Sequence, residues 1–359
     1  VLARVRDVTV VPEGARRVDG EDIDVWPVPY YVGPLQYLSA RRAINTAVRD
    51  AATSQDAVIL RVPSAIGTLL ARRRDHAHLP YGVEVVADPY DVFAPGVIQH
   101  PLRPLLRRRF AARLRHECRS AIAASYVTER HLQSRYPTRP HVPVVAASSI
   151  DLAASAFAPA PRTQTGHRSD AFHVVTVGTM DQMYKGFDTL ITAVARLNRD
   201  GVRVRMSQIG TGRFQPRLEQ LAARLGVADQ VAFVGWCPPG EALRRRLDSA
   251  DLFVMPSRTE GLPRALIEGM ARALPAIGTR VGGIPELLSP TDLVHPDDPG
   301  ELARAVGDIL RDPDRMRAAS ARNLAHARRY SRESLVPRRE AFYQAVRDST
   351  VRPLPARSR

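Results

Sequence analysis

Lysine is almost missing from this chain: of its 52 lysines and arginines, Lys185 alone is a lysine. Cysteine is nearly as scarce. Cys118 and Cys237 lie far apart, with no CxxC or histidine-rich spacing around them, which excludes a disulfide framework or a zinc site and makes a reducing cytoplasm the expected setting. Acidic residues number 37 against 52 basic ones, giving a formal charge of +15. No run of eighteen apolar residues occurs, which excludes a membrane-spanning helix, and no charged start with an apolar middle marks a signal peptide.

What is present is a soluble composition, 44% hydrophobic and 25% charged over 359 residues, enough chain for two domains. The positive charge invites an anionic partner. An arginine-rich, alanine-rich, lysine-poor composition is also what a GC-rich genome produces, so charge alone names none.

The second half alternates short β-branched runs with helical spacing. FHVVTV at 172, VRVRMSQIG at 202, VAFVG at 231, DLFVMP at 251 and PAIGT at 275 are separated by stretches such as FDTLITAVARL from 187 and LPRALIEGMARAL from 262. Strands that feed helices in this way predict a parallel sheet with right-handed crossovers. The first half repeats the pattern at DVTVV (7), DAVILRVP (56), YGVEVVADP (81), CRSAIAAS (118) and VPVVAASS (143). The expected fold class is α/β, with two Rossmann-like domains facing a cleft. Their bounds are residues 1–151 and 172–330, joined by an Ala/Pro/Ser-rich linker at 152–171. A helix at 331–347, with a possible packing back on the first domain, and a disordered tail at 348–359 complete the expectation. Ligands in such sheets bind beyond the carboxyl ends of the strands.

Three loops of the second half carry the chemistry. In VGTMDQMYKG, Gly178 frees a turn and Lys185 stands at a helix start, where a cation opposes the macrodipole unless an anion is bound there. In SRTEGLPRALIEGM, Gly261 allows close backbone approach and Pro263 suits a first helical turn. A helix start near residue 262 would place Glu268 about 9 Å along the axis, so that Glu260 and Glu268 touch different parts of one elongated ligand. In TRVGGIPELL, Gly282 and Gly283 precede a turn carrying Glu286. A diphosphate at helix starts beside an ammonium, with carboxylates on hydroxyls, is nucleotide-sugar chemistry. Each feature alone is common on solvated helices and turns; their meeting on successive strand ends of one domain gives the reading its weight.

The segments VGTMDQMYKGFDTLITA, IGTGRFQPRLEQLAARLGVADQVAFVGW and SADLFVMPSRTEGLPRALIEGMARALPAIGTRVGGIPELL resemble retaining glycosyltransferases of the GT-B fold, in particular glycosyltransferase family 4 of polysaccharide and glycoconjugate type. YYVGPLQYL, VILRVPSAIG and VADPYDVFAPGVIQHPLRP resemble first-domain segments of that family. The resemblance implies a retaining hexosyltransferase that uses a nucleotide-diphosphate sugar without a metal or other cofactor. It assigns Lys185 to the diphosphate, Glu260 to the transferred sugar, and Gly261, Leu262 and Pro263 to a backbone cradle. Glu268 would bind the ribose, and the loop Gly235, Trp236, Cys237 the base.

The departures are specific. Thr179 follows Gly178 where the family commonly has arginine, and Ala87 precedes Asp88 where many members have histidine. Asp88 is therefore taken as a catalytic substitute, with Asp91 and Arg61 on the acceptor side. The chain opens at a segment resembling the helix and second strand, so the first domain is expected to lack its first βα unit. These departures keep open a non-catalytic or decayed nucleotide-sugar-binding protein. The run PLRPLLRRRFAARLRHECRS reads as a basic amphipathic helix able to contact an anionic membrane and a lipid-linked acceptor at the inner membrane face, against the competing reading of a solvated helix face. No helix-turn-helix or RNA-type aromatic motif supports nucleic-acid binding.

Overall fold

The computed structural model describes residues 2–5, 25–31, 33–93, 100–163 and 171–351. The first half contains β1 (Leu2–Val5), β2 (Trp26–Pro29), α1 (Gly33–Ala47), α2 (Arg49–Thr53), β3 (Ile59–Val62), α3 (Ala65–His76) and β4 (Gly82–Val85). It continues through α4 (Pro89–Val92), α5 (Arg103–Ser120), β5 (Ala123–Tyr126), α6 (His131–Arg135) and β6 (Val144–Ala146). β3-β4-β5-β6 form a four-stranded parallel sheet, and β1 pairs with β2 in a separate parallel ribbon. The strand expected at residues 7–11 lies outside the described residues. β2 was not foreseen; WPVP, with two prolines in four residues, carries little strand signal.

The second half contains β7 (Phe172–Val177), α7 (Phe187–Arg199), β8 (Val204–Ile209), α8 (Gln215–Arg224), β9 (Val231–Gly235), α9 (Glu241–Asp248) and β10 (Leu252–Met255). Then come α10 (Arg264–Ala271), β11 (Ala276–Thr279), α11 (Ile284–Leu287), β12 (Leu293–Val294), α12 (Pro299–Arg311) and α13 (Pro313–Ala327). Its six strands run parallel in the order β12-β11-β10-β7-β8-β9. α7 forms because Phe187, Leu190, Ile191, Val194 and Leu197 recur at helical spacing, and all five are buried against the sheet. α12 and α13 start where Asp298 and Asp312 accept hydrogen bonds from amides of their first turns.

α14 (Arg332–Val351) returns to the first half, where Phe342 and Val346 close on Ile122 and Ala123. The helix takes in Asp348–Val351, residues read from sequence as tail; residues 352–359 lie outside the described set. The segment between the halves is packed rather than loose over its described part. Leu152 bridges to Ser331, and the Arg162 guanidinium donates to the carbonyls of Leu247, Ala250 and Arg272. One apolar cluster runs through both halves, from Val83 and Leu114 to Phe253, Leu262 and Ile284. Among the described residues no helix is long and apolar enough to cross a membrane.

Candidate active site

The carboxyl ends of the two sheets open on a shared cleft of about 1740 Å³, where doubly wound sheets place their ligands. Arg61, Val86 and Ala87 line it from the first half. Gly178, Thr179, Lys185, Cys237, Glu260, Gly261, Leu262, Pro263 and Glu268 line it from the second. The cleft exceeds the common single-ligand range of about 300–1,000 Å³ and has room for two substrates.

At its centre Lys185 Nζ donates to Glu260 Oε1 at 2.7 Å, and Ser257 Oγ donates to the same oxygen at 2.7 Å. Both charged side chains are largely withdrawn from solvent. Lys185 ends a short 3-10 turn, Met183–Lys185, and the chain then passes through Gly186 at φ +69° into α7. A Cβ at 186 would collide with the Pro256 carbonyl, so only glycine lets the lysine loop lie this close to the end of β10. The lysine stem crosses Gly178, its Cδ and Cε 3.5 and 3.6 Å from where a Cβ would stand. Arg258 ties the lysine and glutamate loops together. It donates to the Met183 carbonyl and, at 2.9 Å, to both Asp188 oxygens, and its Nε reaches Asp297 at 2.5 Å. Sequence reasoning missed Ser257, whose partner Glu260 is three residues on in the same loop, and Arg258, whose partners lie on other loops.

α10 begins at Arg264, two residues later than the sequence suggested, so Glu268 lies about 6 Å along the axis rather than 9. No side chain caps this helix, and its first residues, Arg264 and Ala265, line the same cleft as Lys185 and Glu260. Arg264, Ala265 and Glu268 form its cleft face, while Leu266, Ile267 and Met270 are buried behind. Burial pushes the Glu268 carboxyl up from its ordinary value, and the Arg264 charge partly opposes this. A carboxylate so placed gains from hydroxyl donors supplied by a ligand.

Four expected site residues stand elsewhere. Asp88 is fully buried. It caps α4 through Tyr90 N at 2.8 Å and accepts from the Tyr136 hydroxyl and the Arg135 guanidinium. Burial would raise this carboxyl, but His131, Tyr136 and Arg135 outweigh it and hold it below the usual range. Asp91 joins the same network through Arg135 at 2.9 Å and does not line the cleft. Neither carboxylate, one expected as catalytic and the other on the acceptor side, lines the cleft; both are engaged in fixing α4 to α6. Asp88, Asp91 and His131 place one potential ligand atom each within 4.8 Å, with Arg135 already against both carboxylates.

Trp236 is half exposed and, with Gly235, lies off the cleft wall. The loop meets the cleft from Cys237 to Gly240 instead, because Gly235 is engaged with Gly210 at a register shift between β8 and β9. Thr179 does line the cleft, its hydroxyl 2.8 Å from Asp181. Arg61 reaches the rim beside Glu84 at 3.4 Å.

The halves are drawn close together over this site. A Cβ on Gly261 would run into the Val86 carbonyl of the first half. Glu286 does not face the cleft. Its carboxylate accepts from the amides of Glu129, Arg130 and His131 at 2.6, 3.0 and 2.6 Å, capping α6 across the two halves. A smaller depression of about 420 Å³ between α7 and α12 is lined by Arg196, Arg199, Arg304 and Arg311 among others, remote from these groups.

Comparison with known proteins agrees with this geometry. Residues 171–312 match the family model described as glycosyl transferases group 1. The capsule protein CapJ of Staphylococcus aureus is 23% identical over 299 residues, covering 80% of this chain and 71% of CapJ. A D-inositol 3-phosphate glycosyltransferase of Segniliparus rotundus is 30% identical over 275 residues, covering 73% of this chain and 60% of that enzyme. Among solved structures, a sucrose-phosphate synthase from Thermosynechococcus elongatus superposes with a TM-score of 0.69 at 18% identity, covering 88% and 80% of the two chains. Anabaena HepE in complex with UDP-glucose superposes with a TM-score of 0.64 at 18% identity, covering 90% and 85%. The fold is GT-B, two Rossmann-like domains with parallel sheets.

Proposed function

We propose that this chain, whose second domain matches the group 1 glycosyltransferases, transfers a hexose-type sugar from a nucleoside-diphosphate sugar to an acceptor hydroxyl with retention at the anomeric carbon, in polysaccharide, glycolipid or natural-product assembly. The observation that carries the reading is the meeting, in one cleft, of the Lys185 ammonium, the Glu260 carboxylate and the uncapped start of α10, with Glu268 one turn further on. In this reading the diphosphate lies against the α10 amides and takes Lys185 from Glu260. Lys185 and those amides then stabilise the charge that builds on the leaving diphosphate. Glu260, released, faces the transferred sugar, and Glu268 accepts from the ribose hydroxyls. Positive charge on the diphosphate comes from the chain itself, so activity is expected to survive chelation of divalent metals.

Lysine suits the position because its stem must pass over Gly178 and present one compact charge to a carboxylate 2.7 Å away. The test is a thermal-shift panel of UDP, GDP, ADP and TDP, followed by turnover with sugars of the base that stabilises. A ligand at one hundred times its Kd adds about 2.7 kcal/mol. Lys185→Ala should lower kcat/KM by about 10²–10³-fold, the effect of removing one oxyanion donor, and Lys185→Arg should not restore it. Glu268→Ala should weaken the diphosphate nucleoside itself. Unchanged affinity in Glu268→Ala refutes the placement of the nucleotide, and binding without turnover leaves a nucleotide-sugar-binding protein.

A further inference from the structure

The turn IGTGR, residues 209–213, joins β8 to α8 and has the look of a phosphate-binding turn, glycine-rich between a strand and a helix. None of its residues lines the cleft. Its glycines serve instead a close backbone contact with the loop after β7. A Cβ on Gly210 would run into the Gly178 carbonyl, and one on Gly212 into the backbone of Met180 and Asp181. Hydrogen bonds fasten the two loops along their length. Gly178 N donates to the Ile209 carbonyl at 2.9 Å, Met180 N to the Thr211 carbonyl at 2.9 Å, and Phe214 N to the Met180 carbonyl at 3.0 Å. The loop held on this bed brings Gly178, Thr179 and Lys185 to the cleft wall.

One buried side chain belongs to the bed. Gln208, next to last in β8, is fully buried, and its Nε2 donates to the Gly178 carbonyl at 2.7 Å. Its Oε1 has no hydrogen-bond partner among the described residues, and neither has the hydroxyl of Thr176, which stands opposite it on β7. Val204 and Met206 share a face of the strand with Gln208 and are both core residues. The strand pattern would therefore place an apolar side chain at 208, and a buried amide with an unmatched oxygen costs stability there. What the other end of the amide holds is Gly178, over which the Lys185 stem passes with its Cδ and Cε 3.5 and 3.6 Å from a Cβ position.

We infer that Gln208 is a positioning residue for the donor site: its amide fixes the Gly178 carbonyl, and with it the platform that sets where the Lys185 ammonium reaches. The inference rests on the assignment of Lys185 to the donor diphosphate. Fold stability does not explain the residue, because an apolar side chain would fill the same place without an unmatched oxygen. A phosphate bound at the turn does not explain it either, since the lysine loop covers Gly210 and Gly212.

The experiment combines thermal melting of the full chain with titration calorimetry, using whichever of UDP, GDP, ADP and TDP stabilises the wild type most. The variants are Gln208→Met, with Gln208→Leu as a second apolar replacement; Thr176→Val, which removes an equally buried polar group that has no bond to the loop; Lys185→Ala; and Lys185→Ala combined with Gln208→Met. Gln208→Met should melt within about 3 °C of the wild type. It should nevertheless bind the nucleoside diphosphate about tenfold more weakly, since a small misplacement of a charged donor is costly. Thr176→Val should leave the affinity within about twofold, and so should Gln208→Met added to Lys185→Ala, because the effect passes through the lysine. A glutamine that served only the fold would give the opposite: a clearly lower melt in both Gln208 variants, or equal affinity losses with and without Lys185. Either result overturns the inference, as does unchanged affinity in both Gln208 variants beside a Lys185→Ala variant that binds weakly. If the wild type binds no nucleoside diphosphate, or Lys185→Ala binds as the wild type does, the donor reading itself fails and the inference with it.

Discussion

Glu286 offers the sharpest test of how the two halves work together. Its carboxylate holds three amides of the other half at 2.6–3.0 Å. An N-cap alone contributes about 0.5–2 kcal/mol, and hydrogen bonds to a charged group about 1.5–3 kcal/mol each before water replaces the lost partner. Since the Arg130 amide is exposed and readily rehydrated, about 3 kcal/mol is a fair total for Glu286→Ala. This loss falls on the closed arrangement, because opened halves do not make the contact. The closed-to-open ratio should therefore drop about 10²-fold, and a nucleotide that needs both walls of the cleft should bind weaker by up to that factor. Glu286→Gln, which keeps the shape and loses the charge, should fall between. Titration calorimetry with the stabilising nucleoside diphosphate, alongside the radius of gyration from solution scattering, reads both effects. Unchanged affinity and radius in Glu286→Ala would show that the α6 cap plays no part in holding the cleft closed.

Two further outcomes follow from the same geometry. Gly261→Ala sets a methyl against the Val86 carbonyl, so the variant should stay folded with its halves apart, its radius of gyration larger and its turnover lost; full activity would refute the close approach. His131 is pushed up to about 9 by the carboxylates of Asp88 and Asp91, above its unfolded value of about 6.5. The stability it confers is therefore complete below about pH 6.5 and is lost as the pH rises through about 9, a change on the order of 1–3 kcal/mol. Urea midpoints of the wild type and His131→Gln should converge over that range, and parallel curves would sink the ion-pair account.

The strands from β3 to β11 were legible because their β-branched or apolar runs end near Gly, Pro or Ser, most plainly in β5, β10 and β11, which are buried throughout. α7 and α10 were legible because their buried positions recur at helical spacing. β12 has two residues and β2 has two prolines, so neither carried a pattern. The loops that line the cleft were legible for a similar reason: Lys185, Glu260 and Glu268 sit at fixed offsets from strand ends and glycines. Asp88, Asp91 and Trp236 do not line the cleft, which sequence neighbours did not signal, because the partners of Asp88 and Asp91 lie far along the chain.

The sequence alone therefore determined which strand ends would line the cleft, and that one lysine among arginines would stand at a helix start. It did so because periodicity and glycine punctuation are local properties of the chain. Only the tertiary structure decided what each charge faces. Lys185 meets Glu260 across 75 positions, Asp88 meets Arg135 across 47, and Glu286 meets the α6 amides across more than 150. No local pattern encodes such pairings, because they arise when packing brings distant loops within reach of one another and burial makes an unpaired charge too costly to leave.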